Sequence, residues 1–375
     1  MDMILNGIRV IEIGQAFSGP FASEILANLG ADVIKVERPD GGDETRHWGP
    51  PFWGEDAAVF HCINRNKRSV ALDLKDADGI ARCRELIGTA DVLIHNLRPG
   101  ALVKLGLGAD TLTRDFPRLI CAEISAFGHT GPLRMLPGYE ILSQAFGGVM
   151  SITGESDRNP VRCGPSVCDF GSGMWLALGV LVALFHREQT GKGGLVQTSL
   201  LETALVWTAV SASSFLASGD DPVRMGAGHH LIAPYGYFET KTGPLMVACA
   251  NDALFAKLVA AIDRPDLTED ERFRDNPSRV ENKRLIEGMV ADVLKEESQE
   301  HWFKFLNQAG VPCSPVNTIP EALSHEQTEA LGMVLNDPEN PDVKSVGFPI
   351  SYNGRRPALR TGAPRLGADT ESILA

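Results

Sequence analysis

Short apolar runs alternate with amphipathic segments over the first 130 residues. "GIRVIEIG" is too continuously apolar for one helix face and predicts a buried strand. "GPFASEILANLGA" follows at helical spacing, entered through Pro20 and ended by Gly30. "DVIKVE", "SVALDL", "ADVLIHN" and "LICAEIS" predict further strands, with a turn at 39–42 and helical segments such as "DADGIARCRELIG" between them. This alternation implies an α/β fold: an open, mostly parallel, Rossmann-like sheet with helices on both faces.

Beyond Leu133 the rhythm changes. Longer helices are expected at about 138–150, 166–188 and 201–217, followed by a Gly/Asp-rich linker, "SGDDPVRMGAGHH", at 218–230. "YGYFETKTGPLMVACA" predicts a hairpin turning at Thr242-Gly243, with helices near 252–262, 279–293 and 299–308. The pattern divides the chain into a large Rossmann-like ligand-binding domain (1–217), a small α+β domain (218–320) and a Pro-rich segment (321–375) returning to the large domain. The longest apolar run, Met174 to Phe185, is short for a membrane span and is expected to be a buried helix.

Composition narrows the function. A formal net charge of −13 disfavours a nucleic-acid binder, which needs excess Lys and Arg to displace counterions. The seven cysteines are scattered without a Cys-x-x-Cys pair, so reduced thiols in the cytoplasm are expected, with no metal site. No secretory leader is expected before Leu5.

Several familiar motifs fail on inspection. "DFG" at 169–171 lacks the catalytic loop and Gly-rich loop of a kinase. The turn from Gly14 to Pro20 lacks both the Lys-Ser/Thr of a P-loop and the glycine spacing of a dinucleotide site. Three features remain. Asp169 opens the apolar run, with Ser166 three residues before it; that spacing fits a capping box, and it equally suits an ionised carboxylate nucleophile at a helix N-terminus. Basic residues cluster early in the chain (Lys35, Arg38, Arg65, Lys67, Arg68, Lys75, Arg98, Lys104), with Arg38, Lys75 and Arg98 at or just beyond predicted strand ends, forming either a solvated rim or a site for a phosphorylated ligand. Gly226 and Gly228 suit either a flexible linker or a loop whose amides approach a reacting carbonyl.

From Leu5 to Leu366 the chain resembles the family III CoA-transferases, which include formyl-CoA and carnitine CoA-transferases and have α-methylacyl-CoA racemase as a relative. The resemblance rests on "LNGIRVIEIGQAFSGPFASEILANLGADVIKVERPDGGDETRHWGPP", "NRNKRSVALDLK", "HNLRPGALVKLGLG", "FGHTGPLRMLPGYEILSQAFGGVMSITG", "CDFGSGMWLALGVLVALFHREQTGKG" and "GAGHHLIAPYGYF". It implies a nucleophile at Asp169, beside an acidic active-site residue at Glu140, and a shielding glycine loop at Gly226–Gly228. It implies coenzyme A contacts at Phe17, Ser18, Arg38, Leu72, Asp73, Lys75, Asn96, Leu97, Arg98, Lys104, Leu105 and Tyr139. It further implies an interlocked homodimer exchanging CoA between an acyl-CoA, most similar to the succinyl-CoA branch, and a small carboxylic acid. No permanently bound cofactor, metal, nucleic acid or membrane is expected. Two departures stand out: Phe17 replaces the glutamine of formyl-CoA transferase, and Tyr139 stands where the racemases carry a histidine. A phenol is a weaker base than imidazole near neutral pH, so racemisation of a 2-methylacyl-CoA is the alternative chemistry.

Overall fold

Six strands of the computed structural model, which describes residues 3–375, pair in parallel. They are β1 (Arg9–Ile13), β2 (Asp32–Glu37), β3 (Lys67–Ala71), β4 (Val92–His95), β5 (Ile120–Ser125) and β6 (Gly194–Ser199). Their order across the sheet is β3-β2-β1-β4-β5-β6. Register pairs Glu12 with Lys35 and Ile13 with His95. The strand order reverses between β1 and β4, and in open α/β sheets ligands bind outside the carboxyl ends of the strands at such a switch point.

Both faces of the sheet are covered, which is why its strands read as nearly continuous apolar runs. On one face Val10, Val33, Val92, Ile94 and Ile120 pack against α1 (Ser18–Asn28) and the long helix Val167–Thr190. On the other, Ile11, Ile34, Leu93 and Cys121 pack against α2 (Ala77–Gly88) through Cys83, Leu86 and Ile87. The C-terminal segment returns to edge strand β3: the Ser69 amide donates to Asp369 Oδ2 at 2.9 Å and the Ala71 amide to Thr370 Oγ1 at 3.0 Å. A sheet edge that would otherwise offer free backbone groups is thereby covered.

Contacts divide the chain into two units. The first comprises residues up to Met150, Arg162–Asp220 and Glu326–Ala375; the second comprises Ser151–Val161 and Asp221–His325. Helix α3 (Glu140–Phe146) of the first unit is shorter than expected, and α4 (Val167–Thr190) runs 24 residues. By length and composition α4 could cross a membrane, contrary to the reading from its apolar run. Its Leu176, Ala177, Val180 and Leu184 nonetheless join the sheet's core, while Met174, Trp175, Leu178, Val182 and Phe185 are exposed. The helix expected over 201–217 breaks at Thr208 into α5 (Leu200–Trp207) and α6 (Ala209–Ser218), bent by 65°.

The second unit holds a three-stranded antiparallel sheet of β7 (Tyr235–Glu239), β8 (Pro244–Ala248) and β9 (Cys313–Pro315), with β8 central. Leu245 and Val247 of β8 meet Phe255 and Leu258 of α7 (Asp252–Ala261), Ile286 and Val290 of α8 (Lys283–Leu294), and Trp302 and Leu306 of α9 (Gln299–Gln308). The hairpin turns where expected, with Thr240 Oγ1 donating to the Gly243 carbonyl at 2.6 Å.

Candidate functional site

Two helix N-termini meet at the carboxyl edge of the sheet. The glycines of "DFGSG" permit the approach. A Cβ at Gly173 would lie 2.9 Å from the Ser18 carbonyl oxygen of α1, and one at Gly171 would lie 2.6 Å from Thr203 and 2.7 Å from Trp207 of α5. Trp207 also donates from Nε1 to the Val167 carbonyl at 3.1 Å, pinning the first turn of α4. Phe170 then packs edge-on against Phe17 and Phe21, with ring centroids 4.7 and 4.8 Å apart. Asp169 is thus held beside the turn that opens α1.

The capping-box expectation fails. Ser166 occupies the N-cap position with ψ of 66°, away from the extended conformation a capping side chain needs, and makes no side-chain cap bond. Among the described residues nothing donates to the half-buried Asp169 carboxylate. Burial first, and the Glu140 carboxylate second, push its pKa up to about 7. The expectation that the helix terminus simply keeps this acid ionised is corrected accordingly: desolvation and a like charge outweigh it.

Glu140, at the first position of α3, is buried. Its Oε1 accepts from Gln144 Nε2 at 2.6 Å and from the Cys168 amide at 3.3 Å. Gln144 in turn accepts from the Cys163 amide at 2.8 Å and donates to the Cys163 carbonyl at 3.4 Å. Tyr139, the residue before α3, is 62% exposed.

The Gly14–Pro20 turn is clamped from the side and from below. Asn96, just past β4, accepts from the Gln15 amide at 3.0 Å and donates to the Gln15 carbonyl at 2.7 Å. Ala16 adopts φ of 60°, a left-handed conformation that costs a non-glycine residue roughly 1–2 kcal/mol. Asp43 Oδ1 accepts its amide at 3.2 Å. Beneath lies a buried charge network. Lys35 is within 2.5 Å of Glu12 Oε1 and 2.8 Å of Asp43 Oδ2, and donates to the Gly14 carbonyl at 3.0 Å. Lys67 joins Glu12 Oε2 at 2.8 Å and donates to the Pro20 carbonyl at 2.7 Å. Burial alone would lower the Lys35 pKa, yet Glu12, Asp43 and Glu37 raise it above the ordinary lysine value. Burial would raise the Glu12 carboxyl, but Lys35 and Lys67 hold it below the usual range.

The early basic group therefore splits. Lys35, Lys67 and Arg65, the last paired with Glu24 at 3.1 Å, are internal, and Arg68 pairs with Asp32. Arg38, Lys75, Arg98 and Lys104 remain exposed and, among the described residues, enter no ion pair. Arg38, Lys75 and Arg98 follow β2, β3 and β4, around the switch point. Leu72 is buried with its amide on the Glu37 carbonyl, exposed Asp73 accepts the Lys75 amide at 2.9 Å, and Leu97 and Leu105 pack against the core. The structure therefore gathers Phe17, Ser18, Asn96, Glu140 and Asp169 in the first unit. Its buried supports, Asp43, Glu12 and Gln144, escaped the sequence reading, although Gln144 lies four residues after Glu140 and so shares its helix face.

Gly226 and Gly228 belong to the second unit, and the loop that carries them is a built structure rather than a free linker. Arg224 donates to the carbonyls of Glu155 at 3.2 Å and Arg158 at 2.7 Å, and the Gly226 amide donates to the Gly154 carbonyl at 2.9 Å. Gly226 has φ of 56°, and a Cβ there would lie 2.3 Å from Glu155 Oε1. Gly226→Ala should thus lower the melting temperature and speed proteolytic nicking within 222–230, by about 1–3 kcal/mol of local stability. Glu155→Ala should relieve only the steric part, and an unchanged nicking rate in Gly226→Ala would refute the account.

Among the described residues no group of three or more His, Cys, Asp or Glu side chains could hold a metal ion, and all seven cysteines are free.

The sequence profile of CoA-transferase family III matches residues 5–370. A succinyl-CoA:glutarate CoA-transferase of Mus musculus is 33% identical over 99% of this chain and 85% of its own length. An acetyl-CoA:oxalate CoA-transferase of Acetobacter aceti is 36% identical over 96% of this chain and 92% of its own. The crystal structure of a CAIB/BAIF family protein from Brucella suis superposes with a TM-score of 0.88 at 36% identity, covering 98% of both chains.

Proposed function

The chain belongs to CoA-transferase family III and is an enzyme of the CoA-transferase type, and from that premise we propose that Asp169 is the nucleophile that carries the acyl group and then CoA. Its carboxylate attacks the thioester carbonyl of the donor acyl-CoA; the C–S bond breaks, leaving a mixed anhydride and CoA thiolate. The thiolate attacks the aspartyl carbonyl, releasing the donor acid and forming an aspartyl-CoA thioester. The acceptor carboxylate attacks that thioester and expels the thiolate, which then attacks the acceptor's acyl carbon, forming the product thioester and freeing Asp169. Thioester is exchanged for thioester throughout, so the protein's work is to bind, orient and exclude water.

The observation that carries this reading is the unpartnered Asp169 carboxylate, pushed up to about 7 and set beside the Phe17–Ser18 turn. A structural carboxylate would have acquired hydrogen-bond donors. Exposed Arg38, Lys75, Arg98 and Lys104 suit the phosphates of CoA, with Phe17, Ser18, Leu72, Asp73, Asn96, Leu97, Leu105 and Tyr139 along the rest of the ligand. In this reading Gly226 and Gly228 form the glycine loop that the family resemblance implies. The name of the Mus musculus relative supports succinyl-CoA as donor, and the glutarate and oxalate in the two relatives' names support a small dicarboxylate as acceptor. The exposed apolar face of α4 supports a homodimer, and the free thiols support a cytoplasmic location.

The test is incubation with succinyl-CoA and a panel of carboxylic acids, read by mass spectrometry for new thioesters, with a hydroxylamine quench to mark the acylated peptide. Product formation with no adduct on the peptide holding Asp169 would sink the mechanism. Because the protonated acid cannot attack, kcat/KM should fall about tenfold per pH unit below about 7 and level off above it. A flat profile between pH 5 and 8 would contradict the assignment.

A further inference from the structure

We propose that Gln144 is a positioning residue for the transfer reaction, its side-chain amide locking the Glu140 carboxylate against the start of α4 so that a fixed negative charge faces Asp169. The inference rests on the reading of Asp169 as nucleophile.

Gln144 is fully buried, and its carboxamide reaches three segments at once. Nε2 donates to Glu140 Oε1 at 2.6 Å, one helical turn earlier. The same amide pairs with the Cys163 peptide group, Oε1 accepting the amide at 2.8 Å and Nε2 facing the carbonyl at 3.4 Å. Glu140 Oε1 also accepts the Cys168 amide, in the residue preceding Asp169. Glu140 is therefore held between an amide anchored in α3 and the backbone of α4. No second side chain donates to Glu140 among the described residues, so without Gln144 only the longer Cys168 contact remains to orient it.

The charge that reaches Asp169 comes from this carboxylate. The residues that flank Asp169 in α4 meet neutral partners: Phe170 packs on Phe17, and Gly171 lies against Thr203 and Trp207 of α5. Burial, followed by Glu140 and Asp169, pushes the Cys168 thiol up to about 12, so it is protonated at neutral pH. Burial supplies the larger part of the rise at Asp169, and among the described residues Glu140 is the charged side chain that adds to it. If Glu140 swings away, Asp169 sheds part of its reluctance to ionise: more of it is ionised near neutral pH, while each carboxylate becomes less basic and intrinsically less nucleophilic.

The test uses Gln144→Met, which keeps the volume and removes the amide, and Gln144→Asn, which keeps the amide but withdraws it by one methylene. Each is compared with its own Asp169→Asn partner by melting temperature across pH 4–9. The pair begins to diverge near the unfolded carboxyl's pKa and the gap levels off at the folded one; that levelling-off point, the midpoint of the folded group's titration, reports how tightly Asp169 holds its proton, with no need for turnover. The midpoint is expected to move to lower pH by roughly half a unit to one unit, with the acid limb of kcat/KM moving alongside it. In a Glu140→Gln background the Gln144 variants should produce no additional shift, because the effect runs through Glu140. An unmoved midpoint, or an equal shift in the Glu140→Gln background, overturns the role of Gln144 alone. Full transfer activity in Asp169→Asn overturns the nucleophile, and with it the catalytic meaning of the contact.

Discussion

Asp169→Asn should abolish CoA transfer while making the protein more stable. Loss of turnover is expected to be on the order of 10^3-fold or more, as for removal of a covalent nucleophile. The stability gain follows from linkage. An unfolded aspartate has a pKa of 3.8, whereas this one sits at about 7 in the folded chain. Between those values the unfolded chain is ionised and the folded chain is protonated, so stability falls as pH rises through the window and levels off above about 7. Asparagine escapes that loss. Its advantage should be absent near pH 4 and reach roughly 2–4 kcal/mol at pH 8, the lower figure allowing for partial solvent access. Paired thermal melts at pH 5 and pH 8 check this directly. A cap would give the opposite sign, with Asp169→Asn less stable at every pH above 4.

Lys35→Met is expected to give the largest stability loss of any single replacement beneath the site. It leaves Asp43 without a cation and removes the donor to the Gly14 carbonyl, while Glu12 keeps only Lys67. Breaking a buried pair from one side costs about 3–5 kcal/mol, because the remaining charge stays desolvated. The turn that carries Phe17 and Ser18 should slacken in the same variant, raising the KM for acyl-CoA. Urea titration and CoA-ester kinetics read the two effects. A midpoint within error of the parent would show that the network is dispensable.

The alternation of strands and helices was legible because a doubly covered parallel sheet demands apolar strands separated by amphipathic helices. The order β3-β2-β1-β4-β5-β6 was not, since pairing partners are chosen by contacts distant in sequence. Period two could have reassigned Lys35: it lies two residues after Val33 and so points to the same face, into the sheet's core rather than outward. The Ser166–Asp169 spacing suggested a cap that the backbone dihedrals of Ser166 do not allow, and no residue pattern reports a ψ angle. The break at Thr208 was hidden because the apolar periodicity continues through it. Asp169 itself was recognisable from the chain, but its missing hydrogen-bond donors and its shifted proton affinity depend on α3 and α1, far away in sequence.

The charged cluster beneath α1 also bears on how the strands find their alignment. Glu12, Lys35 and Lys67 come from three neighbouring strands, and their charges, balanced with that of Asp43, are paired in the observed alignment. Sliding β2 by one residue would turn Lys35 to the opposite face, among Ile11, Ile34 and Leu93, and strand an ion in hydrocarbon. Misaligned versions of the sheet are thus penalised far more heavily than in an all-apolar interior, which gives the folding chain an internal means of rejecting them.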